Sequence, residues 1–288
     1  STLIVVPTTS LVEQMYKDFE DYGWDVQKYC YKVYAGREKY NIDNPVVITT
    51  WQSIYKEPVK WFDQFDVVIG DEAHQFKSKS LVDIMSKLLD CKYRFGFTGT
   101  LDGTQTHKWV LEGLFGPSYK VTETKKLMDQ GYLSKLDIKV LLLKHSGQKF
   151  DCYEDEVQYI IQHKKRNNFI KNLALDMKGN TLVLFQTEKE NDAIIIASYG
   201  TFSTGINIKN LHNVIFASPS KSRIRNLQSI GRVLRKGNNK TKAVLYDIAD
   251  DISLNSSKNY TLNHLIERIK IYNEENFSYN IINVNLKK

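Results

Sequence analysis

Residues 65–74 read Phe-Asp-Val-Val-Ile-Gly-Asp-Glu-Ala-His. Residues 67–69 form a short apolar run rich in β-branched side chains, which is typical of a strand buried on both faces of a parallel sheet. Ligands bind beyond the carboxyl ends of such strands, where Asp71 and Glu72 follow. Adjacent carboxylates there can hold a hydrated Mg²⁺ that bridges phosphates and can orient an attacking water. The alternative is a solvated acidic turn.

The composition is that of an ordinary globular protein. A length of 288 residues predicts one or two domains, and 42% hydrophobic and 25% charged residues are usual for a folded chain. The net charge of +7 and the pI near 9.0 favour a polyanionic partner without identifying one.

Cysteine usage and hydropathy exclude several classes of protein. Cys30, Cys91 and Cys152 lie far apart and form no Cys-x-x-Cys pair, which argues against a structural zinc site or a disulfide framework. No apolar run approaches the roughly 18–20 residues of a membrane span, and no signal peptide opens the chain. We therefore expect a soluble, intracellular protein with no membrane partner.

Three other predicted strands in the first part of the chain also end in polar residues. The strands are residues 3–6, 46–48 and 93–97, and the polar residues after them are Pro7, Thr8 and Thr9, then Thr49, Thr50 and Gln52, then Thr98, Gly99 and Thr100. The carboxyl ends of parallel strands share one edge, so these residues are expected together. Hydroxyls and amides at strand-to-helix turns are suited to contact phosphates. Helix capping is the alternative, because Ser10 and Glu13 have the spacing of a capping box.

A second unit begins near residue 134. The strand at 136–144 alternates differently from the earlier ones, and further strands are predicted at 181–185, 193–197, 214–216 and 243–246. The predicted domains are residues 1–133, 134–252 and a tail, 253–288, that is polar and then amphipathic and so predicts a final helix. The fold class is α/β, with two parallel-sheet units and a short helical C-terminal tail.

Two places indicate missing segments. The strands at 181–185 and 193–197 are predicted to be parallel, yet only seven residues, 186–192, join them. A parallel crossover takes about a dozen or more residues. We expect a segment to be absent after about Gln186. The chain also begins inside a strand, so we expect further residues before Ser1.

Residues 227–235 read Leu-Gln-Ser-Ile-Gly-Arg-Val-Leu-Arg and carry a second set of candidate functional groups. On a helix, Gln228, Arg232 and Arg235 stand at i, i+4 and i+7 and form one stripe, while the apolar residues form a second stripe that can pack on the sheet. The planar guanidinium group can donate two parallel hydrogen bonds to a transferring phosphoryl group. A surface helix with salt bridges is the alternative.

A polar loop follows the strand at 193–197. Residues 199–207 read Tyr-Gly-Thr-Phe-Ser-Thr-Gly-Ile-Asn. Gly205 allows close approach of the backbone, and Ser203 and Thr204 supply hydroxyls for a phosphate or a strand backbone. Such loops are common, so this signal is weak on its own.

Taken together, these stretches resemble motifs Ia, II, III, V and VI of superfamily 2 helicases, in the order of that family. The matching stretches are Pro7-Thr8-Thr9, Asp71-Glu72-Ala73-His74, Thr98-Gly99-Thr100, Ser203-Thr204-Gly205 and Gln228-x-x-Gly231-Arg232-x-x-Arg235. Within the superfamily, residues 45–61, the loop at 203–206 and the closing Asn-Val-Asn-Leu resemble the UvsW-type DNA helicases of T-even-like phages.

The resemblance implies two RecA-like lobes with ATP and Mg²⁺ between them. It implies that Asp71 holds the metal, that Glu72 orients the water, that His74 and Gln228 couple the lobes, and that Arg232 and Arg235 act as arginine fingers. The cofactor-binding residues implied are Gly205, Asn207, Arg232 and Arg235. The residues implied to bind nucleic acid are Pro7, Thr8, Thr9, Thr49, Thr50, Gln52, Ser203 and Thr204. Thr98, Gly99 and Thr100 are implied to relay the closure of the two lobes.

The implied activity is an ATP-dependent DNA helicase or translocase that unwinds or branch-migrates DNA junctions in recombination, repair and replication. The implied partners are branched or duplex DNA and single-strand-binding or recombination proteins. A monomer is expected, in the cytoplasm of the host if a phage encodes it.

The departure from the family pattern is the phosphate-binding loop. No Gly-x-x-x-x-Gly-Lys-Ser/Thr occurs in the 288 residues, and we expect it before Ser1. The alternatives are a non-catalytic nucleic-acid-binding remnant, an RNA helicase or the motor subunit of a restriction enzyme. Glu72, Arg232 and Arg235 argue against a remnant, because a simple binding protein has no use for a base and two arginine fingers.

Overall fold

The computed structural model describes residues 1–185, 195–198, 210–218, 220–237, 240–255 and 257–286. The chain forms two compact units, Ser1–Tyr119 (unit 1) and Lys120–Lys288 (unit 2). Each unit is built on a sheet of parallel strands flanked by helices, which confirms the predicted fold class. Among the described residues, no helix combines the length and the apolar character that a membrane crossing requires.

The sheet of unit 1 has the strand order β2-β3-β1-β4-β5. Its strands are β1 (Thr2–Val6), β2 (Cys30–Val33), β3 (Val46–Thr50), β4 (Val67–Gly70) and β5 (Tyr93–Gly96). Its helices are α1 (Thr9–Asp21), α2 (Val26–Tyr29), α3 (Trp51–Ile54), α4 (Val59–Phe62), α5 (Lys79–Lys87) and α6 (Gln105–Phe115), with a short 3-10 helix at Ala73–Gln75.

Strand alternation explains why helices cover both faces of this sheet. In β1, Leu3 and Val5 pack in one apolar core, whereas Ile4 and Val6 pack in the core on the opposite face. A strand that is apolar at every position can be buried only between two layers. β1 therefore lies near the centre of the sheet, and the polar residues after it are carried to the carboxyl edge.

The cap of α1 differs from the prediction. Thr8, not Ser10, is the N-cap, and its Oγ1 accepts a hydrogen bond from the backbone nitrogen of Leu11. Glu13 forms no capping box, because its carboxylate accepts hydrogen bonds from Lys32 Nζ and Tyr34 Oη on the neighbouring strand and loop. The helix begins two residues earlier than the spacing of Ser10 and Glu13 indicated, since β1 ends at Val6 and leaves Thr8 in the extended conformation that a cap requires.

β5 is an edge strand of the described sheet and carries exposed aromatic side chains. Tyr93 and Phe95 are 58% and 47% exposed, and Phe97, just after the strand, is 57% exposed. Edge strands are usually short, charged or covered, because unpaired backbone groups can pair with another strand. One face of β5 has instead the apolar character of a buried position.

The sheet of unit 2 has the strand order β11-β6-β10-β9-β7-β8. Its strands are β6 (Lys135–Lys144), β7 (Asn180–Phe185), β8 (Ile195–Ser198), β9 (Leu211–Phe216), β10 (Lys242–Asp251) and β11 (Tyr279–Asn285). The helices described are α7 (Thr124–Asp129), α8 (Tyr153–Gln162), α9 (Lys164–Leu175), α10 (Arg223–Leu234) and α11 (Tyr260–Glu274). β7 and β8 pair in parallel, and the residues between them lie outside the described part.

Unit 2 begins earlier than the boundary at residue 134 that the sequence pattern indicated. The preceding helix α7 belongs to unit 2, because Met128 packs in the same core as Ile138 of β6. The tail also differs: the predicted helix exists as α11, but residues beyond it form β11, which pairs in parallel with β6. The alternation of Asn and apolar residues in β11 was a strand signal that the prediction of a helical tail overlooked.

Two buried ion pairs join β10 to the helices on its two faces. Asp247 pairs with Arg268 of α11, with Nη2 and Oδ1 2.8 Å apart. Asp250 pairs with Arg166 of α9, with Nε and Oδ1 2.8 Å apart. Arg166 also donates to the carbonyl oxygen of Ala217, which compensates its burial.

Candidate functional site

The turn that follows β4 is held on both sides by backbone hydrogen bonds. The backbone nitrogen of Asp71 donates to Val5 of β1 over 3.0 Å, and that of Ala73 donates to Phe97 over 2.8 Å. Gly70 is required just before the turn, because a Cβ atom there would lie 2.7 Å from the ring of Phe76. The position of the turn that carries the two carboxylates is therefore fixed by the segments on either side of it.

Glu72 adopts a left-handed backbone conformation, with φ 49° and ψ 48°. This conformation is uncommon for a residue with a long side chain and costs on the order of 1–3 kcal/mol. Its backbone nitrogen donates to Asp71 Oδ1 over 2.9 Å, which helps to hold the turn. Residues with such strain cluster at functional sites, and here the strained residue carries one of the two candidate catalytic carboxylates.

Burial raises the pKa of Asp71 above its ordinary value, and the nearby negative charge of Glu72 adds to this effect. The hydrogen bond from the backbone of Glu72 opposes the shift without cancelling it. A half-buried carboxylate beside a second one is stabilised in its charged form by a cation. The oxygen donor of Asp71 is of the type that Mg²⁺ prefers, so the residues present fit a magnesium ion.

His74 is buried and connects the turn to the residues after β5. Its Nδ1 atom lies 3.0 Å from Thr98 Oγ1 and 3.2 Å from Glu72 Oε2. Thr98 Oγ1 donates its single hydrogen to the carbonyl oxygen of Thr100, and therefore accepts from His74. This assigns the proton to Nδ1 of His74, and links Glu72 to the Thr98–Thr100 segment in one hydrogen-bonded group.

A second histidine supports this group and was not predicted. His107 of α6 is buried, with Nε2 2.8 Å from the carbonyl oxygen of His74 and Nδ1 2.9 Å from Asp102 Oδ1. Partial burial alone would raise the pKa of Asp102, but hydrogen bonds from Thr104, Lys77 and His107 hold it well below the ordinary value. The only sequence signal was the closeness of Asp102 and His107 to Thr98–Thr100, since their contact with His74 is tertiary.

The predicted nucleic-acid contacts of unit 1 divide into exposed and buried residues. Thr9 and Gln52 are exposed, and Gln52 Nε2 donates to the carbonyl oxygen of Pro7 over 3.2 Å, which brings the ends of β1 and β3 together. Thr49 and Thr50 are buried. The Oγ1 of Thr49 donates to Thr50 O, and the Oγ1 of Thr50 is bonded to Ser53. Pro7, Thr8, Thr9 and Gln52 thus provide the accessible polar surface at this edge.

In unit 2, α10 carries the predicted arginine stripe, but only part of it is helical. Gln228 and Arg232 lie one turn apart on the helix, while Ile230 and Leu234 are buried in the core as predicted. Arg235 is the C-cap, with φ −55° and ψ 132°, so the chain leaves the helical path after this residue. The predicted i, i+4, i+7 stripe therefore ends at the last position of the helix, and the roles of its three residues stay a prediction.

The remaining predicted residues, Ser203, Thr204, Gly205 and Asn207, lie outside the described residues. Within unit 1 the structure brings Glu72, His74 and the residues Thr98 and Thr100 into one group, and the polar residues after β1 and β3 into another.

Comparison with known proteins assigns the family. Residues 1–103 match the family "Type III restriction enzyme, res subunit". The chain is 36% identical over 342 residues to the ATP-dependent DNA helicase uvsW of Enterobacteria phage T4, covering 99% of this chain and 68% of that protein. The aligned range is longer than this chain, so the relative contains additional residues inside it.

Two more distant similarities agree with this result. The DNA 3'-5' translocase XPB2 of Sulfurisphaera tokodaii is 23% identical over 218 residues, covering 72% of this chain and 45% of that protein. The solved structure of the ATP-dependent Type ISP restriction-modification enzyme LlaBIII bound to DNA has a TM-score of 0.65 and 13% identity, covering 98% of this chain and 28% of that one. The latter similarity concerns the fold alone. The chain belongs to the superfamily 2 helicases, in the family of the T4 helicase uvsW.

Proposed function

We propose that these residues form the motor of an ATP-dependent DNA helicase or translocase that unwinds or branch-migrates DNA junctions in recombination, repair and replication. The observation that carries the proposal is the strained turn at Asp71–Glu72, held by two strands and joined through His74 to Thr98. A turn that orients two carboxylates at a fixed point and connects them to a second segment suits ATP hydrolysis coupled to a conformational change.

Each residue of unit 1 has a distinct role in this proposal. Asp71 holds Mg²⁺, and Glu72 orients the attacking water and accepts its proton. Mg²⁺, when bound with ATP, supplies charge neutralisation at the phosphates. His74 donates from Nδ1 to Glu72 and Thr98, so movement of the segment at 98–100 alters the position of the water-orienting carboxylate.

The residues of unit 2 provide the second half of the proposed mechanism. Arg232 and Arg235 stabilise the charge that develops on the transferring phosphoryl group, and Gln228 couples phosphoryl transfer to closure of the two lobes. Gly205 and Asn207 are proposed nucleotide contacts, and Ser203 and Thr204 contact the nucleic-acid backbone. On unit 1, the N-terminus of α1 with Thr8, Thr9 and Gln52 contacts DNA phosphates.

A phosphate-binding loop is still needed, because no Gly-x-x-x-x-Gly-Lys-Ser/Thr pattern occurs in the sequence. We propose that a further parallel strand carrying this loop pairs with β5. The exposed Tyr93 and Phe95 on this edge support that arrangement, since their apolar surface is suited to burial by another element. Experiments on ATP hydrolysis therefore require the full-length gene product.

Nucleic-acid type and biological setting are part of the proposal. The relative at 36% identity is named a DNA helicase, and this similarity favours DNA over RNA, which the names of more distant relatives give. The match to the restriction-enzyme subunit over residues 1–103 supports a second candidate, the motor of a restriction enzyme, which also uses ATP on DNA. We propose a monomer in the host cytoplasm that acts on branched or duplex DNA, with single-strand-binding or recombination proteins as partners.

The experiment that tests the function uses the Glu72→Gln variant of the full-length gene product. We expect DNA-stimulated ATP hydrolysis and separation of branched DNA to be abolished while Mg²⁺–ATP still binds, because the amide cannot accept a proton from water. Glu123→Gln, at a carboxylate that is 57% exposed, is the matched control. Hydrolysis near the wild-type rate in Glu72→Gln would reject the assignment.

The wild-type protein separates the alternatives in the same assay. Stimulation by RNA and not by DNA would identify an RNA helicase. ATP-driven movement on duplex DNA without strand separation or branch migration would favour a restriction motor. Nucleic-acid binding without any ATP hydrolysis would identify a non-catalytic protein.

A further inference from the structure

Lys240 closes the C-terminal end of α10. Its Nζ atom donates hydrogen bonds to the carbonyl oxygens of Val233 and Arg235, and the second bond measures 3.0 Å. The last four carbonyl groups of a helix have no partner within the helix. A single lysine therefore satisfies two carbonyl groups at the point where the backbone leaves the helix.

Two other carbonyl groups at this end of α10 accept hydrogen bonds from backbone nitrogens. The carbonyl oxygen of Leu234 accepts from the backbone nitrogen of Ser134 over 2.9 Å, and that of Arg232 accepts from the backbone nitrogen of Arg235 over 3.4 Å. One of the two hydrogen bonds from Lys240 goes to the carbonyl oxygen of Arg235 itself. Lys240 therefore holds the carbonyl group of the residue at which the chain leaves the helix.

The position of Lys240 is itself well determined. Its side chain is buried, with 4% exposed, and its backbone nitrogen donates to Gly237 over 3.2 Å. A Cβ atom at Gly237 would overlap the side chain of Asn210, so a larger residue there would displace that side chain. The lysine is thus held by its backbone at Gly237 and by its side chain at the end of α10.

The chemistry of this contact favours a cation. Burial lowers the pKa of Lys240 to about 8, so the ammonium form still predominates at neutral pH. A positive charge is favourable at a helix C-terminus, where the partial charge of the helix dipole is negative. The ammonium group has three donors, enough for both carbonyl groups.

We propose that Lys240 is a positioning residue for ATP hydrolysis, which holds the backbone of Arg235 so that its guanidinium is presented in one direction. The inference rests on the function proposed above, in which Arg235 acts on the transferring phosphoryl group. Both of these hydrogen bonds from the Lys240 ammonium go to backbone carbonyl oxygens, so Lys240 acts through Arg235 and not on the nucleotide. Small displacements of a group that stabilises a transition state lower the rate by up to about 100-fold.

The test compares Lys240→Met with Lys242→Met in the full-length protein. Lys242 is two residues away and 59% exposed, so its loss controls for a change of lysine to methionine in the same segment. We expect Lys240→Met to lower the DNA-stimulated kcat at least about tenfold with little change in ATP affinity. Lys242→Met should have the wild-type rate, and Lys240→Arg should recover most of the loss, since a guanidinium group can donate to both carbonyl groups.

A double-mutant cycle distinguishes positioning from general stabilisation. In the Arg235→Ala background, Lys240→Met should cause no further loss of kcat, because the group it positions is absent. Two results would overturn the inference and leave the proposed function intact. One is that Lys240→Met lowers kcat by the same factor in the Arg235→Ala background as in the wild type. The other is that Lys240→Met has the wild-type rate although Arg235→Ala is slow. A wild-type rate in Arg235→Ala would instead reject the proposed role of Arg235, and with it this inference.

The fold of each variant is checked in a separate experiment. Thermal unfolding of each variant should show that the protein is folded at the assay temperature. If Lys240→Met does not fold, Lys240→Gln, whose side chain is one atom shorter and uncharged, is tested in the same cycle. A rate in Lys240→Gln equal to that of the wild type would overturn the inference.

Discussion

The Nε2 atom of His107 lies 2.8 Å from the backbone carbonyl oxygen of His74. A carbonyl oxygen can only accept, so Nε2 donates, and Asp102 faces the other ring nitrogen at 2.9 Å. Through this contact, α6 holds the short 3-10 helix that follows the two candidate catalytic carboxylates. The bond involves main-chain atoms of His74, which leaves the His74 side chain available to Glu72 and Thr98.

Replacing His107 should therefore loosen the turn without altering any group that contacts the nucleotide. We expect His107→Ala to lower the ATPase rate and to destabilise unit 1 by about 1–3 kcal/mol, because the buried carbonyl group of His74 loses its donor. His107→Gln, whose side-chain amide can donate to the same oxygen, should recover part of both losses. Equal rates in the wild type and His107→Ala, measured with saturating ATP and DNA, would contradict this prediction.

Arg235 should behave as an arginine finger and not as a surface charge. Removing such a group is worth roughly 10³–10⁵ in rate, whereas a surface salt bridge contributes at most about 1 kcal/mol. We expect Arg235→Ala and Arg235→Lys to lose the DNA-stimulated ATPase while ATP affinity is nearly unchanged, since lysine keeps the charge but loses the bidentate geometry. Exposed Arg225 of the same helix provides the control variant Arg225→Lys. If Arg235→Lys retains most of the DNA-stimulated rate, then Arg235 is a solvated surface residue and not an arginine finger.

DNA binding should depend strongly on salt and weakly on sequence. Contacts to phosphates release counterions, so log K should fall linearly as log[salt] rises. This is measured as binding of labelled DNA of two unrelated sequences over a salt series. A flat response, or a sharp preference for one sequence, would count against a motor that tracks the backbone.

Gln52 tests the location of this contact. Gln52→Ala should weaken binding of both sequences about fivefold, the effect of losing one hydrogen bond of about 1 kcal/mol. Gln64 is the matched control, because its amide likewise donates to a backbone carbonyl oxygen, that of Trp61, but it precedes β4 and so lies toward the opposite edge of the sheet. Equal weakening in Gln64→Ala would show that the effect is not specific to the carboxyl edge.

The buried pair of Arg166 and Asp250 should determine the acid stability of unit 2. Burial alone would raise the pKa of Asp250, but Arg166 and His145 together hold it below the ordinary value. A lowered pKa in the folded state means that this stability is present above the unfolded pKa of about 3.9 and is lost as the pH falls from there through the lower folded-state pKa. Arg166→Met should destabilise unit 2 by about 3–5 kcal/mol at pH 7, because it leaves Asp250 buried without its partner.

The two units can be followed separately in this experiment. All four tryptophans, at positions 24, 51, 61 and 109, lie in unit 1, so tryptophan fluorescence reports its unfolding while circular dichroism reports both units. In urea, Arg166→Met should shift the transition seen by circular dichroism at pH 7, and the shift should become smaller toward pH 3, as the wild type loses the same contribution. An unchanged dichroism transition, or one in which only the fluorescence shifts, would contradict the assignment.

Much of the architecture follows from local patterns. Strands that are apolar at successive positions and end in polar residues predict a parallel sheet with a functional carboxyl edge, because the direction of parallel strands alone brings their ends together. The order of the stretches around Asp71, Thr98 and Arg232 was enough to indicate the helicase superfamily. These features depend on residues close together in the sequence.

Other features depended on partners that no local pattern reveals. The cap of α1 moved to Thr8 because of where β1 ends, and β11 forms because β6 offers it an open edge. α10 ends at Leu234, so Arg235 of the predicted stripe is its C-cap and not a residue within the helix. Such boundaries are set by competition between backbone hydrogen bonds, which a helical repeat does not record.

The supporting residues were decided entirely by tertiary structure. His107 reaches His74 across 33 positions of sequence, and Arg166 reaches Asp250 across 84. Repetition and spacing predict which face of an element is buried, since they follow from the period of one helix or strand. Which carbonyl group or carboxylate a buried histidine, lysine or arginine will meet depends on how separate elements pack, because the free energy of burying these groups is recovered only when a partner is in place.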